Sequence, residues 1–174
     1  MNSNPILVHT LRFVFLALLQ VLVLKQIPFG PIGSFYAEPM VYPLFLLLLP
    51  VQTSREILLL IGFALGLTMD MFYDSWGVHA SASVFLAFVR PSILRSIEPK
   101  GGYAVTHGLT LQRYKIVWFL RYTTLSFAFF LVFYFSMQVF TPVYFLQILV
   151  KTVLGFVASL FFVFLVTLIF NPLD

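Results

Sequence analysis

Apolar residues occupy this chain in long runs, broken by short stretches rich in Pro, Gly and charge. The runs cover approximately 7–26, 36–51, 55–73, 78–94, 114–137 and 143–170. A helix needs about 20 residues to cross a bilayer, so most of these runs are spans by length. The pattern predicts an all-α bundle of six transmembrane helices in a single domain, 1–174, with one longer polar loop at 95–113. The second run is short and holds Pro39, Pro43 and Pro50. Proline removes a backbone donor and breaks helices, so this run is expected to cross with a kink or to re-enter.

The polar positions inside the runs are not scattered. Gly62, Gly66, Asp70 and Asp74 recur every fourth residue and share one helix face. After a short turn ending at Gly77, Ala80, Ser83, Ala87 and Arg90 fall at helical spacing on the next run. Two helices with small-residue faces, joined by a tight polar turn, predict a closely packed hairpin at the centre of the protein. Gly62 and Gly66 form a GxxxG, which permits close backbone approach in lipid. Packing within the chain is the favoured use of it, over dimerisation. A second stripe, Gln147, Lys151, Gly155 and Ser159, should turn the last helix toward the bundle. Gln20 is the one mid-depth polar group of the first span and is expected to face a neighbour. Tyr36 and Tyr42, and later Tyr114 and Trp118, suit aromatic belts at the membrane surfaces. Pro91 predicts a kink beside Arg90.

Composition sharpens this picture. Of 174 residues, 61% are hydrophobic and 9% charged, and the mean hydropathy is +1.02. A soluble domain carries roughly 25% charged residues, so this chain lacks the means to cover a water-facing surface. The formal net charge is +4, but the basic residues flank apolar runs instead of clustering with exposed aromatics, which excludes nucleic acid as the expected partner. There is no cysteine, hence no disulfide framework or thiolate metal site. The first run lacks a basic leader and a small-residue cleavage site, and it is read as a retained span. Arg12, Arg55, Arg90, Arg95, Lys100, Arg113, Lys115 and Arg121 fall on one side of a six-span topology, with Lys25 and Lys151 on the other. The positive-inside rule then predicts both termini in the cytosol.

Candidate chemistry is sparse. Asp70 is the sharpest candidate, because an ionised carboxylate in a span is usually paired or facing water. It is read either as a contact to a partner, ligand or proton, or as a span-end residue that helps Asp74 cap the turn. Asp70, Asp74 and His79 could be imagined around a metal, but the spacing is poor and no metal is expected. Lys151 either pairs with Asp70 or Asp74 across helices or snorkels to the nearer surface. No nucleophile–base motif or phosphate loop is present in the sequence, so no catalytic residue and no cofactor are expected. The candidate helix-packing or partner-binding residues are therefore Gly62, Gly66, Asp70, Asp74, Gly77, Arg90, Lys151 and Gly155.

The series Gly62, Gly66, Leu67, Asp70, a short turn, Gly77 and then small residues leading into an apolar helix resembles the rod shape-determining membrane protein family MreD. The first span LRFVFLALLQVLVL and the segment GVHASASVFLAFVRP look similar as well. The resemblance implies a non-enzymatic inner-membrane subunit of the bacterial elongation machinery. Its expected partners are MreC, the MreB filament system, RodA and a transpeptidase, together with membrane lipid. It implies a six-helix fold similar to the substrate-binding subunits of energy-coupling-factor vitamin transporters. The 95–115 loop and the proline-rich second run are less typical of the family. The runner-up reading is a small-ligand-binding subunit of a vitamin-type transporter, with Asp70, Asp74, Trp76, His79 and Lys151 lining a pocket near the outer face.

Overall fold

The computed structural model describes residues 5–26, 38–103, 108–111, 114–139 and 145–170. Expectations at Tyr36, at Arg113 and in the stretch before the last helix lie outside the described residues. The architecture is an all-α bundle with the elements α1 Pro5–Leu18, α2 Leu44–Leu48, α3 Arg55–Tyr73, α4 Val78–Ser96, α5 Ile116–Val139 and α6 Phe145–Phe170. Past α1 the chain widens into a π-helical turn, Leu19–Val23, and tightens to 3-10 geometry over Leu24–Gln26. Leu7–Gln26, α3, α5 and α6 are each long and apolar enough to cross a membrane. The chain is a membrane protein.

The second run is broken, as its prolines predict. Only five residues of it, Leu44–Leu48, are α-helical. Every residue from Pro39 to Leu49 is buried. This broken element runs through the middle of the bundle. Its start meets Gln20 and Ser159, and its end meets Arg90. Its reach is on the order of 20–25 Å, since helical residues rise about 1.5 Å and extended ones about 3.3 Å. Non-helical backbone is tolerated at membrane depth only where protein surrounds it, which is why the other helices form a wall around this segment.

The α3–α4 hairpin is the most extensive helix pair, as the small-residue faces predict. α4 is the least apolar of the long helices, because its polar residues His79, Ser83 and Arg90 face inward and are buried. It runs unbroken through Pro91. α5 lies antiparallel to α4, with Tyr122 at Arg90 and Tyr134 at His79. α6 closes the bundle against α5 and α1, where Phe15 and Phe170 rings sit 4.5 Å apart. The start of α1 and the end of α6 thus lie at one end, with Arg55, Arg90 and Arg95. The π turn of α1, the 74–77 turn and the start of α6 lie at the other.

Candidate functional site

The glycine ridge of α3 sets the geometry of the site. A Cβ at Gly66 would lie 2.4 Å from both Ala80 Cα and His79 O. At Gly62 it would lie 3.0 Å from Ser83 O and 3.2 Å from Ala87 Cβ. The GxxxG is therefore spent within the chain, against α4. One turn after Gly66, the close approach lets Asp70 reach the start of α4. His79 N donates to Asp70 Oδ1 at 3.0 Å, and Ala80 N donates to Oδ2 at 2.9 Å. Ser75 Oγ adds a third bond to Oδ1, at 2.6 Å. Asp70 is thus a buried cap on the positive end of a neighbouring helix, where orphan amides and the helix dipole favour an anion.

Asp74 does something different from its i−4 neighbour. It is exposed, sits in the left-handed region at φ 52°, and ends α3. Gly77 takes φ 81° at the entry to α4. A Cβ there would meet nothing within 4 Å, so glycine is needed for its backbone conformation and not for space. Of the imagined trio, Asp70 meets His79 through the backbone amide, and Asp74 points away. Among the described residues no group of three or more His, Cys, Asp or Glu comes together.

His79 is fully buried inside a ring of three tyrosines. Its centroid lies 5.6 Å from Tyr42, 4.7 Å from Tyr73 and 4.8 Å from Tyr134. Nδ1 is hydrogen-bonded to the Tyr42 hydroxyl at 2.9 Å, and Nε2 meets the Tyr134 hydroxyl at 3.4 Å. Tyr42, expected in an interface belt, is 0% exposed. Its position on the broken element carries it inward. Beside this ring, Gln20 Nε2 donates to Pro39 O at 3.1 Å and to Tyr73 Oη at 2.8 Å, while its Oε1 accepts from Val41 N at 2.7 Å. Ser159 Oγ accepts from Met40 N at 2.8 Å. The open backbone of residues 39–41 is satisfied by side chains of α6 and of the π turn after α1. A π turn carries an extra residue and re-aims its side chains, which here brings Gln20 inward.

Lys151 does not pair with Asp70 or Asp74. Its Nζ lies 3.9 Å from Glu38 Oε1 and donates to Gln138 Oε1 at 3.3 Å. The reason is that Asp70 already accepts three bonds from the hairpin, and Glu38 stands at the mouth of the broken element next to α6. Gly155, one turn further along α6, faces Phe135. A Cβ there would lie 3.0 Å from that ring and 3.4 Å from Glu38 O.

At the opposite end a second polar node holds the exit of the broken element. Arg90, 1% exposed, donates from Nε to Tyr122 Oη at 2.9 Å and from Nη2 to the carbonyls of Leu49 and Pro50. Tyr122 Oη in turn donates to Leu47 O at 3.2 Å. Those carbonyls belong to the last residues of α2 and the chain just beyond, where helix geometry leaves acceptors unmet. Among the described residues no carboxylate pairs with Arg90.

The candidate residues thus fall into two nodes, with Gly62 and Gly66 between them on the hairpin. Ser159 faces the bundle as its stripe predicts; Tyr42 was expected at the surface, and Tyr73, Tyr122 and Tyr134 were missed by sequence reasoning. Tyr134 and Tyr122 stand twelve residues apart on α5, facing His79 and Arg90, which stand eleven apart on the antiparallel α4; that near-equal spacing was the available signal. No family model, curated protein or solved structure matches the chain.

Proposed function

We propose that this chain is a non-enzymatic inner-membrane subunit of the bacterial cell-elongation complex, of the MreD type. It would bind an MreC-like partner and support sidewall peptidoglycan synthesis alongside MreB, RodA and a transpeptidase. One observation carries the reading. The residues of the family-like motif, Gly62, Gly66, Asp70 and Gly77, act as one unit that locks α3 onto α4. That is the behaviour of a rigid helical scaffold, whose task is to present a lateral surface to other membrane segments. Both termini are assigned to the cytosol. Arg12, Arg55, Arg90, Arg95, Lys100, Lys115 and Arg121 lie toward one end, against Lys25 and Lys151 at the other, in support of that orientation.

The transporter-type alternative needs polar groups free to meet a ligand at the outer end. Asp70 and His79 are buried and bonded to their neighbours, and Trp76 is 100% exposed on the turn. Their polar groups are spent on neighbours within the protein, and the scaffold reading is therefore preferred.

Affinity isolation in mild detergent, with mass spectrometry of proteins and lipids, tests the assignment. Recovery of MreC-like and other elongation proteins is the expected result, and a stoichiometric vitamin-like molecule without them would overturn it. Gly66→Leu should abolish recovery, while a lipid-facing change such as Leu60→Ala should not. Orientation is checked in a chain that naturally lacks cysteine. Single cysteines placed at Lys100 and Trp76 should be labelled from the cytosolic and outer sides, respectively.

A further inference from the structure

Grooves on the surface of the basic end each carry one basic side chain. One, between α1 and α6, includes Arg12, and one, between α1 and α3, includes His9. Both of these side chains are engaged within the protein. The third differs. It is a cavity of about 430 Å³ lined by Ile97, Val117, Leu120, Arg121, Thr124 and Leu125. Arg121 is exposed, and it makes no hydrogen bond or ion pair among the described residues.

Depth makes this arginine notable. It is the sixth residue of the 24-residue α5, about 7.5 Å along the axis from the helix start. A helix of that length is about 36 Å long, against a hydrocarbon core of about 30 Å. Centred in the membrane, α5 places the Arg121 backbone some Å below the headgroup boundary, with its side chain leaning back toward the surface. A guanidinium there needs an anion. Its planar fork fits two oxygens of a phosphate at once. Leu125 lies about one turn deeper than Arg121, while Val117 and Leu120 flank it toward the surface, and these apolar walls suit an acyl chain. Lys100 and Lys115 lie toward the same end, and Glu98, next to Ile97, is the carboxylate nearest in sequence.

We propose that this groove binds an anionic phospholipid, with the phosphate on Arg121 and one acyl chain running inward past Leu120 and Leu125. The site stands independently of the elongation-complex assignment, since it uses none of the motif residues.

Native mass spectrometry of the purified full chain, given equal phosphatidylglycerol and phosphatidylcholine of matched acyl chains, tests it. A basic residue near the membrane surface contributes about 1 kcal/mol toward an anionic lipid, so the wild type should retain phosphatidylglycerol about fivefold over phosphatidylcholine. Arg121→Gln should bring that ratio close to one. Arg121→Lys should keep part of it, because charge remains but the fork is lost. Arg95→Gln, at the exposed end of α4 and outside the groove, should leave it unchanged. Leu120→Trp, which fills the groove, should lower retention of both lipids. Equal retention by the wild type overturns the proposal, as does an undiminished preference in Arg121→Gln. Equal losses in Arg121→Gln and Arg95→Gln would indicate diffuse surface charge and also overturn it. Displacement of the lipid by excess inorganic phosphate would assign the site to a soluble anion instead. Co-purification of an acidic partner segment that exchanges with lipid only in the wild type would likewise replace lipid as its occupant.

Discussion

The two ends of the α4 helix handle buried charge in mirror fashion. At one end the Asp70 carboxylate rests on the free amides that begin α4. At the other, the Arg90 guanidinium rests on the free carbonyls that follow α2. The two nodes lie eleven residues apart along α4, about 16 Å. Neither charge meets an opposite charge among the described residues. Each meets backbone that a broken or newly begun helix cannot satisfy by itself. An ion pair would have required both partners to be stripped of water, which is expensive in low dielectric. Capping backbone instead solves two desolvation problems with one side chain. The nodes differ in what they hold: Asp70 fastens one helix to another, whereas Arg90 fastens the irregular segment 39–50 to the bundle.

That contrast can be broken at several points. The largest effect is expected from Gly66→Ala, because its Cβ would overlap backbone atoms of α4. Overpacking of this kind costs about 3 kcal/mol or more where the neighbour is rigid. Thermal unfolding in detergent should show a large loss, with Gly62→Ala much milder. Arg90→Leu comes next. It leaves the Leu49 and Pro50 carbonyls without their donor, at about 1–3 kcal/mol for each unsatisfied group. Hydrogen exchange should quicken in residues 44–50 while the α3–α4 hairpin keeps its protection. Asp70→Ala should cost about 1–2 kcal/mol, the upper range for a lost helix cap, and should loosen the start of α4 while sparing α2. Asp70→Asn, which keeps one acceptor oxygen, should lose less. Combining Asp70→Asn with Arg90→Gln should give additive losses to within about 0.5 kcal/mol, as for well-separated sites. Marked non-additivity would mean that the nodes are coupled through the intervening core. The smallest change is expected from Tyr134→Phe, whose bond to His79 is long at 3.4 Å. A loss above about 1 kcal/mol there would show that the tyrosine ring around His79 behaves as a cooperative network.

Much of this architecture was legible from residue order. The span at 55–73 coincides with α3, and the hairpin partner, the turn and the Gly62–Gly66 contact follow from four-residue spacing alone. Those features are local: a helix face is determined by periodicity, and a small face has a short list of uses in lipid. The second run resisted the same treatment. Its prolines announce a break, but its path depends on Gln20, Ser159 and Arg90, which lie 19 to 119 residues away along the chain. Lys151 resisted for a similar reason. Pairing with Asp70 or Asp74 and snorkelling were both open to it, yet Asp70 was already committed to nearby amides, and Glu38 stood closer.

Composition and spacing therefore determined that this chain lives in a membrane, that its helices number close to six, and that α3 and α4 pack face to face. Hydropathy and periodicity act within one segment, so the order of residues reports them directly. Only the tertiary structure decided where residues 39–50 run, which backbone groups Asp70 and Arg90 satisfy, and which tyrosines enclose His79. Those outcomes are settled by competition among donors and acceptors that meet only after the helices have assembled, and apolar runs carry no record of that competition.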